Sequence, residues 1–112
     1  MQSKILSRRD VEFMLYQWLD AEALNQRARY QEHSRETFDA AIDTAEQIAT
    51  ELFAPHNKKS DQQEPHALPG EHCLQVQIIP EVKTALDAFS AAGLMAAGQD
   101  FERGGMQLPT VV

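Results

Sequence analysis

Residues 34–55 read SRETFDAAIDTAEQIATELFAP, and this stretch decides the fold class. Phe38, Ala41, Ile42, Ala45, Ile48, Ala49, Leu52 and Phe53 recur at three- and four-residue steps, which puts them on one face of a helix. Ser34 is suited to cap its start, and Glu36 places a negative charge near the positive end of the helix. Pro55 is expected to close it, because the proline ring disfavours the α conformation at Ala54. A helix from about Arg35 to Phe53 would be roughly 28 Å long at 1.5 Å per residue.

Upstream, Ser7-Arg8-Arg9-Asp10 has the form of a capping box with Asp in place of Glu. Val11, Met14, Leu15, Trp18 and Leu19 then mark an apolar face, and Asp20 can cap a second short helix through Leu24. Residues 26–33 are polar and read as a linker or a loose helix, which would let the first hairpin dock as a separate appendage. Downstream, residues 56–65 carry no periodicity and read as a surface loop. Pro69-Gly70 is a turn, and Cys73, Leu74, Val76 and Ile78 suggest a short β-like excursion. Pro80 suits the first turn of another helix, whose core face is Val82, Ala85, Leu86, Phe89 and Ala92. Gly93 supplies a left-handed cap. Beyond it, Gly104-Gly105 calls for positive φ or a close approach of another segment.

Composition bounds the function. With 10 basic and 17 acidic residues the net charge is −7, unsuited to a phosphate backbone or an anionic membrane surface. No apolar run reaches the ~20 residues of a membrane span. The N-terminus leads into no apolar secretory stretch, and the lone Cys73 suits a reducing compartment. The expected location is cytoplasmic.

Four groupings could carry chemistry. Glu36, Asp39, Asp43 and Glu46 lie at helical spacing but without the Glu-x-x-His pairs of a di-iron bundle, so they read as the solvated face of the helix. His56, His66, His72 and Cys73 lack the paired spacing of a zinc site, and nothing marks a base for Cys73 as a nucleophile. Phe13, Tyr16 and Trp18 read as the core and anchor of the first helix, not as a base-stacking platform. One Arg103-Gly104-Gly105 is neither an RNA-binding array nor a dinucleotide fingerprint. No catalytic, cofactor-binding or metal-ligating residue is assigned.

The order of the pieces resembles a known family. A long helix ends in Ala54-Pro55-His56-Asn57, Asp61 follows in a loop, and a second helix runs into Gly93-Leu94-Met95-Ala96-Ala97 and on to Gly104-Gly105-Met106-Gln107-Leu108-Pro109. From Glu36 to Pro109 this resembles the N-terminal helical domain of acyl-CoA dehydrogenases. The first thirty-odd residues resemble the extra segment of the longer, methylmercaptopropionyl-CoA dehydrogenase-like branch. Asp100 stands where that family often has Pro, Arg103 replaces an aromatic, Gln107 replaces a third glycine, and Glu64 a glycine after the Asp loop. The resemblance implies a parent enzyme that binds FAD and oxidises an acyl-CoA thioester to its 2,3-enoyl product. Its catalytic glutamate and most flavin contacts belong to later domains, so residues 1–112 would wall the acyl pocket and pack on the C-terminal helical domain. They would bind neither FAD nor acyl-CoA alone.

The fold expected is therefore all-α, a small helical domain of three to four helices with a short irregular β-like excursion near residues 68–79. Residues 1–33 form the N-terminal helical extension and residues 34–112 the acyl-CoA dehydrogenase N-terminal-like domain. Expected partners are the middle and C-terminal domains of the same enzyme and its acyl-CoA, with no nucleic acid, no membrane, and a homo-oligomeric assembly. Phe53, Leu94, Met95, Phe101, Met106 and Leu108 are candidates for an exposed apolar interface. The alternative is a free-standing acidic α-helical protein–protein interaction module.

Overall fold

A computed structural model describes residues 3–70 and 75–112. The long helix α2 spans Arg35–Ile48 and starts where Ser34 predicts. The Ser34 backbone N–H donates to Thr37 Oγ1 at 2.9 Å, and its hydroxyl donates to Glu36 Oε2 at 2.9 Å, so the first turn is satisfied locally. The helix does not stop before Pro55. It widens into a π-turn over Ala49–Phe53 and tightens into a 3-10 turn over Ala54–His56. Ala54 keeps α torsions, φ −57° and ψ −40°, because Pro55 falls in the first turn of the next element, where its missing N–H costs nothing. The expected polar loop after it also begins as a helix, α3 (Asn57–Gln62).

The N-terminal segment comprises α1 (Arg8–Glu12), a π-turn over Phe13–Trp18, and 3-10 turns over Ala21–Gln26 and Ala28–Tyr30. Ser7 caps α1, accepting from the Asp10 N–H at 3.4 Å. Asp20 precedes the second turn without capping it and sits at φ 49°. A two-residue antiparallel pair, β1 (His66–Ala67) with β2 (Val76–Gln77), forms the β excursion, in the register His66 to Gln77. Cys73, His72 and Leu74 lie outside the described residues. Helix α4 (Pro80–Ala91) starts at its proline, and Gly93 follows at φ 79°.

The fold is a small, mostly α domain, as expected, and it is flat. Its extents are 56 × 36 × 19 Å, and 19 Å is less than two helix diameters of about 10–12 Å. The radius of gyration is 17.7 Å, where a compact domain of this length has about 13 Å. The exposed surface is 8470 Å², where a monomer of this mass typically exposes about 6,200 Å². The core is correspondingly small: among the described residues Leu15, Ala21, Phe38, Ile79 and Ala85 are the buried apolar ones, with Phe38 the one large side chain of these at 0% exposure. No described helix is long and apolar enough to cross a membrane.

Two expectations about faces are corrected. Phe13 and Trp18, assigned to the core and anchor of the first helix, are 54% and 70% exposed, and Met14 and Leu19 of its expected apolar face are exposed with them. Bonding in this turn runs i to i+5, with the Leu19 N–H donating to Met14 O at 2.9 Å. The wider turn carries Trp18 away from the face that Leu15 occupies. Leu86, assigned to the core face of α4, is likewise exposed, leaving Ala85 as the buried residue of that helix.

Candidate functional site

The apolar stripe of α2 is only half covered. Ala41, Ile42, Ala45 and Ala49 form the floor of an open groove of about 630 Å³. Phe89 at the end of α4, with Leu94, Ala97 and Gly98 beyond it, makes one wall, and the tail from Leu108 through Val112 extends it. Leu6 and Val11 of the N-terminal arm make the other wall. A volume of this order suits a drug-sized molecule or a few inserted side chains. Among the described residues that line it, Glu46 is the one ionisable side chain. The groove offers apolar surface for binding, and among the described residues that line it there is no acid–base pair to activate the Thr110 hydroxyl.

Arg8 holds the arm in place. Its guanidinium lies 2.6 Å from Asp43 Oδ1, 3.6 Å from both Asp39 Oδ1 and Glu46 Oε2, and 3.3 Å from Glu12 Oε1. Burial pulls the Arg8 pKa down, but the Asp43 charge and hydrogen bond, with Asp39 and Glu12 behind them, leave it raised. The acidic face of α2, expected to be solvated, is thus partly covered at Asp39 and Glu46, while Glu36 and Asp43 are exposed as expected. Tyr16 adds a second tie, donating its hydroxyl proton to Asp39 Oδ1 at 2.6 Å. Burial first, then the bond to Asp39 and its charge, push the Tyr16 phenol well above its ordinary range. The Arg35 guanidinium stacks 4.0 Å from the Tyr16 ring centroid, a cation–π contact.

The far wall is fixed by a polar clasp. Arg29 bonds Asp100 Oδ1 at 2.6 Å and Gly98 O at 3.2 Å, and the Asp100 bond raises the Arg29 pKa. His33 Nε2 donates to the Met106 carbonyl at 2.7 Å, with its ring beside Phe38 and Phe101. Gln107 bridges both segments: its Nε2 donates to Arg29 O at 2.9 Å and its Oε1 accepts from the Phe101 N–H at 3.2 Å. The glycine pair divides the two roles expected of it. Gly104 has φ +80°, and a Cβ on Gly105 would lie 2.1 Å from Gln99 O. Gln107, in the position given to a third glycine, has φ +49°.

The other sequence candidates are dispersed. His56 is buried with its ring 6.0 Å from that of Phe53, and His66 lies exposed on β1. Among the described residues no group of three or more His, Cys, Asp or Glu could hold a metal ion. Of the residues named for an interface, Met95 and Phe101 are exposed; Leu94 and Leu108 are half-buried and line the groove. The groove itself was missed by sequence reasoning, because periodicity identifies an apolar face but not what covers it. No family model, no curated protein and no solved structure matches the chain.

Proposed function

We propose that the chain is the N-terminal helical domain of an FAD-dependent acyl-CoA dehydrogenase-like enzyme, where it packs against the C-terminal helical domain and helps to wall the acyl-CoA pocket. The observation that carries this reading is the groove along α2. Helical domains bury their apolar stripes between layers, and here one layer is missing over Ala41, Ile42, Ala45 and Ala49. The surface in excess of a compact monomer is roughly 2,000 Å², more than the ~800 Å² per partner of a standard interface. Gly93, Gly104 and Gln107 all have positive φ, which adds support, since two are family glycines and the third replaces one.

The residues present do not fit FAD as ligand. A dinucleotide pyrophosphate requires cations or a glycine-rich helix N-terminus, and the groove presents one carboxylate, Glu46, already facing Arg8. The flavin and the base belong to other domains, and this chain contributes shape. A second reading, a free-standing interaction module, draws on the exposed Phe13, Met14, Trp18 and Leu19. The reading frame beyond the Val112 codon separates the two. Continuation into a β-rich domain supports the enzyme, and a stop codon supports the module.

A further inference from the structure

We propose that the cavity flanked by the Ala49–Phe53 π-turn, α3 and α4 binds an uncharged, ring-bearing small molecule with one hydroxyl, held by His56. The inference rests on neither the enzyme reading nor the groove, with which this cavity shares Ala49 alone among the described lining residues. His56 is the one buried polar residue among those described, at 8% exposure. Its ring lies 6.0 Å from that of Phe53, and neither ring nitrogen has a hydrogen-bond partner among the described residues. Neither nitrogen is sealed from solvent, so the ring opens into a cavity that it lines. Buried polar groups are as a rule hydrogen-bonded, and this one calls for a partner.

The backbone brings two further polar groups to the same place. The π-turn and the 3-10 turn over Ala54–His56 end at φ −107° and ψ 3° for His56, where the chain turns into α3. Asn57 and Ser60 follow on the first turn of α3, and all three side chains line a cavity of about 480 Å³. The Asn57 amide and the Ser60 hydroxyl likewise make no hydrogen bond to a described residue. The rest of the lining, Ile5, Ala49, Phe53, Ala54 and Val82, is apolar. An apolar wall with a few convergent polar groups, at this volume, is the usual make-up of a small-molecule site.

The lining selects the chemistry of the ligand. Among the described residues no charged side chain lines this cavity, so an ion would lose its hydration with no counter-charge to replace it. The Phe53 ring on the wall favours a flat apolar ring, and a hydroxyl, which both donates and accepts, can bond either imidazole nitrogen. A second cavity, of about 540 Å³, also reaches His56, but Glu51, Lys59 and Glu81 line it. Lys59 and Glu81 are already paired there at 2.5 Å, and its charges would favour an ion. The charge of the bound molecule therefore tells the two cavities apart.

Magnetic resonance titration of the chain at physiological salt tests this, with benzyl alcohol as the probe against benzoate and benzylamine, which carry the same ring with a charge of either sign. Benzyl alcohol is expected to shift the His56 ring protons and the Asn57 and Ser60 amides saturably in the millimolar range, as suits so small a ligand. Both charged analogues should bind at least about tenfold more weakly. His56→Phe keeps a ring of similar size and should weaken benzyl alcohol about tenfold, read at the Asn57 and Ser60 amides. Met95→Ala, on the exposed surface, should leave binding unchanged. The proposal is overturned by the absence of a saturable shift at His56, by a charged analogue that binds as tightly as the alcohol, or by full affinity in His56→Phe. If His56→Phe loses its helical circular dichroism, Ser60→Ala decides: affinity about threefold weaker supports the site, and unchanged affinity overturns it.

Discussion

Arg8 lies 2.6 Å from Asp43, and through this pair the N-terminal arm is fastened along the acidic face of α2. The same guanidinium also faces Glu12, Asp39 and Glu46, so one cation separates four carboxylates. Its side chain is 24% exposed, which shields the network partly from solvent.

Arg8→Gln should therefore lower stability by about 1 kcal/mol at low salt, more than an isolated surface pair contributes, and by less in 1 M salt. Hydrogen exchange locates the effect. The Asp10 and Val11 amides, which donate to Ser7 O, should exchange faster, and the Phe38 amide at the start of α2 should not. Lys83→Gln removes an exposed pair with Asp87 and should change neither.

Tyr16→Phe removes the proton donated to Asp39 and should cost about 1 kcal/mol at neutral pH. The folded-state pKa of Tyr16 is raised, so the native state holds its proton longer than the unfolded chain. The wild-type advantage is then full below about pH 10, the unfolded value, and is lost as pH rises through the raised folded value. Denaturation midpoints of both proteins between neutral and strongly alkaline pH should converge. A constant difference would show that Tyr16 stabilises by packing alone.

The glycine pair gives a third test. Gly105→Ala places a Cβ 2.1 Å from Gln99 O, backbone that cannot yield without distorting the clasp, so a loss of about 2 kcal/mol is expected. At Gly98 the nearest atom is Leu108 O at 3.9 Å, and Gly98→Ala should stay within about 0.5 kcal/mol. Thermal unfolding of the two variants suffices.

What was legible in the sequence was what neighbours in the chain determine. Ser34 with Thr37 starts α2, Pro80 and Gly93 bracket α4, and Gly104-Gly105 marks a tight crossing. What escaped depends on distant contacts. Arg8 partly covers Asp39 and Glu46 from another element, so a face that periodicity reads as wholly solvated is open to solvent only at Glu36 and Asp43. Residues 57–62 carry no apolar period, yet they follow on from the 3-10 turn at Pro55, and Lys59 reaches Glu81 of α4 at 2.5 Å. That bond, with a backbone bond behind it, holds the Glu81 carboxyl below its ordinary range. The exposure of Trp18 follows from a π-turn that no helical template anticipates.

Without its proposed partner domains, the isolated chain should bind neither FAD nor acyl-CoA. The reason is chemical: the groove presents one carboxylate and no cation to the phosphates of either ligand. A flavin fluorescence titration at micromolar concentration should show no quenching that saturates. Saturable stoichiometric binding would mean that the site lies within these residues.

The proposed place of this chain in a flavoenzyme is tested most directly on the native polypeptide. An antibody raised against these 112 residues would isolate it from its source cells, for intact-mass measurement and flavin release on denaturation. A polypeptide several times longer, releasing FAD, is the predicted result. A flavin-free polypeptide that ends at Val112 would contradict it.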